Sequence, residues 1–98
     1  MADIGRIQEM EKALNDCGAA LESLSGELEK FNALRERMIR LFQYYGSEGW
    51  YQDRETDPPA DVPAGVLSED AVYDLITGVR EAAFRMLETG TDILKNRI

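Results

Sequence analysis

Between Ile7 and Tyr45 the apolar residues fall on a strict 3-4 alternation: Ile7, Met10, Leu14, Cys17, Leu21, Leu24, Leu28, Phe31, then Met38, Phe42 and Tyr45, with only Arg35 interrupting. Apolar residues recurring every 3.5 positions line one side of an α-helix and supply the seam of a coiled coil or helical bundle. A helix running from 7 to 45 is roughly 58 Å long at ~1.5 Å per residue. The remainder of a 98-residue chain cannot cover that length alone.

The spacing predicts an all-α fold, read as one helical-hairpin domain over 1–98. A long coiled-coil-like first helix occupies about 3–45, a connection about 46–67, and a second, antiparallel helix about 68–96. Asp3 serves as the first N-cap, and Gly46 takes the left-handed position that ends the helix. Gly18 and Gly26 each cost up to ~1 kcal/mol inside a helix. A break near Ser25-Gly26 is the alternative, but the heptad phase runs through both glycines without a slip. Ser68 caps the second helix, with Glu69 and Asp70 in its first turn and Lys95 and Arg97 at its end, as the helix dipole favours. Its stripe is Val72, Leu75, Ile76, Val79, Ala83, Met86, Leu87, Ile93 and Leu94. Folded back on the first helix, it leaves roughly the first dozen residues there uncovered. A homodimer forming a four-helix assembly is therefore expected.

Charge locates the connection. Residues 3–45 carry six Lys/Arg against eight Asp/Glu, and residues 71–98 carry four of each. Residues 46–70 carry Arg54 against seven acids, so six of the eight excess negative charges sit beside Pro58, Pro59 and Pro63. A net charge of −8 argues against nucleic acid, whose phosphates require neutralisation, and against an anionic membrane surface. No signal peptide or membrane-length apolar run is visible, so a soluble cytoplasmic protein is expected. Cys17, on the seam, is expected to act as a small buried hydrophobe.

Catalytic chemistry finds little footing. The chain has no histidine, which removes the usual general base and the commonest metal ligand. A metal-dependent all-α nucleotide hydrolase would hold its ion with Glu-x-x-Glu and Glu-x-x-Asp pairs, yet no two acids here stand three residues apart. Asp70/Asp74 and Glu88/Asp92 are the four-apart pairs expected within a helix. Asp53-x-Glu55-x-Asp57 starts like a calcium loop, but Pro58 and Ala64 occupy the positions that need glycine and glutamate. No catalytic, cofactor-binding or metal residue is assigned, no cofactor is implied, and the chain is read as not an enzyme.

What remains is Tyr44 to Asp53, which holds four of the chain's eight aromatics and its one Trp. These residues either close the open end of the hairpin, polar tips bonded locally, or form an acidic aromatic surface for a basic or helical protein partner.

Tyr44-Tyr45-Gly46-Ser47-Glu48-Gly49-Trp50-Tyr51-Gln52-Asp53 and Gly65-Val66-Leu67-Ser68-Glu69-Asp70-Ala71-Val72-Tyr73-Asp74-Leu75, with the leading Arg6-Ile7-x-x-Met10-Glu11, resemble a bacterial family of small helical proteins catalogued as a domain of unknown function. The resemblance covers nearly the whole chain and implies a fold without an activity. Gly18 and Gly26 depart from it, standing where ordinary helix formers are expected. It points to Tyr45, Gly46, Trp50, Asp53, Gly65, Ser68, Asp70 and Tyr73. Tyr44 and Tyr51 join them as candidate partner-binding or loop-structuring residues. A fainter likeness is to secreted helical hairpins with Trp-x-Gly in the turn, but Gly49-Trp50-Tyr51-Gln52 lacks that motif. The expected function is a non-enzymatic protein–protein interaction or assembly module.

Overall fold

A computed structural model describes residues 1–96, and the chain forms two compact units, Met1–Arg37 and Met38–Ile98. The described residues are all-helical, without strands.

The first unit is built on α1, Ile4–Ala33. Asp3 starts it: with extended backbone (φ −87°, ψ 101°), its carboxylate accepts the Arg6 N–H at 3.0 Å. This satisfies one of the four amide groups that the first helical turn leaves without a partner. The helix runs unbroken through Gly18 and Gly26. It ends instead at Leu34, whose N–H bonds to the Phe31 carbonyl at 3.1 Å, a tightened 3-10-type turn. That turn stands directly before Arg35, the charged residue on the seam. The expectation of one helix over about 3–45 is thus corrected: the interruption comes at Leu34, where no glycine or proline marks it. No residue of α1 is buried, and Cys17, expected to be buried on the seam, is exposed.

The second unit contains most of α2 (Arg35–Tyr44), α3 (Glu48–Thr56), a 3-10 turn (Gly65–Leu67) and α4 (Ala71–Asn96). At the end of α2, Gly46 takes φ +77°, a left-handed backbone that costs a residue with a Cβ about 1–2 kcal/mol. Ser47 follows at once as the N-cap of α3, its hydroxyl accepting the Trp50 N–H at 3.3 Å. Asp57, in the left-handed region at φ 54°, stops α3, and Pro58 and Pro59 cannot continue a helix. The connection expected over about 46–67 is therefore corrected: nine of its residues are helix and three form the 3-10 turn.

The Ser68 hydroxyl accepts the Ala71 N–H at 3.1 Å, and the Asp70 carbonyl accepts the Asp74 N–H at 2.8 Å. Ser68 thus supplies the cap, while Glu69 and Asp70 precede the first helical residue, Ala71. Arg97 lies outside the described residues.

Packing in this unit centres on two side chains, Trp50 and Val72, each 3% exposed. Met38, Leu41, Phe42 and Tyr45 of the α2 segment are half-buried, as are Val66, Leu67, Ile76 and Val79. The intervals from Val72 to Ile76 and Val79 are those of one helix face. Beyond Val79 the stripe of α4 loses its cover, and Met86, Leu87, Ile93 and Leu94 are exposed.

Candidate functional site: an aromatic knot around Trp50

The aromatic decapeptide is organised by its turn. Gly46 and Ser47 reverse the chain between α2 and α3, so that Tyr45 and Trp50 meet edge-on, ring centres 5.1 Å apart at 67°. Tyr51 also meets the indole edge-on, at 5.0 Å and 76°. Edge-to-face pairs at this separation place a positive ring edge over a negative ring face.

The polar tips are bonded across larger sequence separations. The Trp50 Nε1–H donates to the Val66 carbonyl at 2.9 Å, tying α3 to the 3-10 turn. The Tyr45 hydroxyl donates to the Glu69 carbonyl at 2.7 Å, tying the end of α2 to the entrance of α4. Tyr44 donates its hydroxyl to Asp53 Oδ2 at 2.5 Å. The Arg54 guanidinium lies 4.7 Å from the indole centre and 3.6 Å from Glu69 Oε1, joining a cation–π contact to an ion pair.

Of the residues singled out in the sequence, Tyr44, Tyr45, Trp50, Tyr51 and Asp53 come together here. Gly46 shapes the turn and Ser68 caps α4. Gly65 opens the 3-10 turn without a positive φ. Asp70 contributes a backbone carbonyl, and Tyr73 faces outward at 60% exposure. Arg54, Val66 and Glu69 were missed. Arg54 stands four residues after Trp50, the interval that stacks side chains on a helix, but that signal is visible only once 48–56 is read as helical.

Beside the knot, an open hollow of about 330 Å³ is lined by Tyr44, Asp53, Thr56, Pro58 and Val66 among others. Among the described residues no three Cys, Asp or Glu side chains gather as a metal site would require, and no helix is long and apolar enough to cross a membrane.

The Tyr44–Asp53 bond carries a pH signature. Donating to Asp53 holds the Tyr44 phenol protonated, with partial desolvation and the nearby negative charge acting in the same direction, so its pKa rises above the ordinary tyrosine value. The fold favours the neutral phenol. Its stabilisation is present below about pH 10 and is lost as pH rises through the higher folded-state value. Urea denaturation should therefore show Tyr44→Phe destabilised relative to the parent at pH 7–9, with the gap narrowing at pH 11. A gap independent of pH over that range would refute the assignment.

The arrangement belongs to a stretch that a family model covers. Domain of unknown function DUF4298 matches residues 7–89. The chain belongs to this family. The match takes in α2, α3, the 3-10 turn and most of both long helices, so every member of the knot lies inside the DUF4298 region. No curated protein and no solved structure matches the chain.

Proposed function

We propose that this DUF4298 protein is a non-enzymatic protein–protein interaction or assembly module that works as a homodimer. The observation that carries the reading is α1. Its seam residues repeat every three and four positions, yet Ile7, Met10, Leu14, Leu21 and Leu24 are all more than half exposed in the single chain. Large contiguous apolar surfaces on isolated chains mark sites of association. Burying one such side chain contributes about 1.5–3 kcal/mol, so several together can hold two chains in contact.

The aromatic loop serves chiefly to build the second unit, since Trp50 is buried and the Tyr44, Tyr45 and Trp50 polar tips are bonded within it. Tyr51 and Tyr73 remain outward beside an acidic stretch, where a basic or helical protein could dock. The acidic charge and lone cysteine suit the bacterial cytoplasm. Light scattering coupled to size-exclusion chromatography, over a hundredfold concentration range, should return a mass of twice 11.0 kDa. A mass that stays at one chain throughout would sink the reading.

A further inference from the structure

We infer that α1 pairs with α1 of a second copy in the antiparallel direction, with the crossing centred near Ala19; the inference rests on the self-association proposed above. Two charges on the seam decide the direction. Continuing the 3-4 alternation backwards from Ile7 reaches Asp3, the N-cap, and continuing it forwards from Phe31 reaches Arg35, just past the turn at Leu34, so an acid and a base flank the two ends of the α1 stripe. Both belong to the first unit.

In a parallel, in-register pair, each residue of the stripe faces its own copy. Asp3 would meet Asp3 and Arg35 would meet Arg35, like charges at the rim of an apolar seam. Turning the second helix round sets Asp3 against the partner's Arg35 at both ends. Arg35 then ceases to be a defect in the pattern. Asp3 can take this role while capping its helix, because only Oδ1 receives the Arg6 N–H.

Side-chain size agrees. In the antiparallel register Cys17 lies against the partner's Leu21, and Ile7 against the partner's Phe31. The parallel register would stack Cys17 on Cys17 and Phe31 on Phe31, leaving one layer thin and another crowded. Near the centre, Gly18 and Ala20 flank the seam with little bulk, Gly18 having open space where a Cβ would project, so two backbones can approach closely there. Helix dipoles also oppose in this direction, bringing each positive N-terminus beside a negative C-terminus.

The test uses the full chain with Cys17→Ala and Ala33→Cys, spin-labelled at the new thiol, with pulsed dipolar spectroscopy at a concentration where light scattering reports a dimer. Antiparallel pairing sets the two labels about 42 Å apart along the axis at ~1.5 Å per residue. Parallel pairing holds them side by side, within about 30 Å given helix diameters of ~10–12 Å. A distance beyond about 35 Å supports the inference, and a shorter one overturns it while leaving self-association intact. Leu21→Asp, in otherwise unaltered protein, should raise the dimer dissociation constant at least a hundredfold while Trp50 emission stays unchanged. A dimer that tolerates Leu21→Asp would place the contact elsewhere and overturn the use of α1. A parent protein that is monomeric at every concentration overturns the self-association reading itself, and this one with it.

Discussion

Trp50→Ala should unfold the knot. The indole is 3% exposed, makes the Nε1–H bond to Val66, meets two tyrosine edges and lies under Arg54. Truncating a buried tryptophan costs about 3–5 kcal/mol, from lost transfer energy and the cavity left behind. Removal also leaves the Val66 carbonyl without its donor. A unit with two buried side chains has little stability in reserve, since even whole domains hold only about 5–15 kcal/mol. Proteolysis should then cut between Asp57 and Asp70 at least tenfold faster than in the parent, and far-UV dichroism should lose α3 while keeping α1. If the cutting rate were unchanged, the indole would not be holding the segment, and a role in partner capture would become the better account.

Val72→Asp should be at least as damaging, by a different route. Val72 is the other 3%-exposed side chain and lies in the first turn of α4. A carboxylate there cannot reach water without moving the helix, and desolvating an unpaired charge costs several kcal/mol. Val72→Ala, which only removes volume, should cost about 1–3 kcal/mol and keep the unit folded. The Asp variant should recover part of its stability below pH 4, when the carboxyl is neutral and cheaper to bury. Equal urea midpoints for Val72→Asp and Val72→Ala at pH 7 would mean that the site is wetter than its exposure implies. Both substitutions lie outside the first unit, so neither should change the solution mass.

Helix positions were legible where a cap coincided with a periodic stripe. Asp3 before the Ile7 seam and Ser68 before the Val72 stripe are such places, and both hydroxyl or carboxylate caps have their amide partners. The end at Leu34 was not legible, because the apolar phase resumes at Met38 as if nothing had happened. Only the backbone shows the tightened turn. Helix α3 was hidden for the opposite reason. Its nine residues, Glu48 to Thr56, include Gly49 and four charged side chains and bury one apolar residue, so no stripe announces it. Its start signal, Ser47 followed by Glu48, and its stop signal, Pro58-Pro59, were present in the sequence. They lie inside the stretch that its charge and prolines mark as a connection.

The knot was legible as a composition and not as a geometry. Four aromatics in ten residues identify a place where rings will associate. That Trp50 bonds to Val66 and Tyr45 to Glu69 depends on how residues 57–70 return, and those residues are governed by turns rather than periodicity. In the sequence Arg54 is one cation among the seven acids of residues 46–70. Its position over the indole follows from helicity that the sequence did not display.

Trp50 is the one tryptophan and Cys17 the one cysteine, and they stand in different units. The molecule thus carries two native reporters that do not overlap. Emission from Trp50 follows melting of the second unit, and the rate at which a disulfide reagent modifies Cys17 follows exposure of the α1 seam. Dilution should therefore speed thiol modification without moving the emission maximum, whereas urea at high protein concentration should shift the emission first. Association and folding become separately visible in one unlabelled sample.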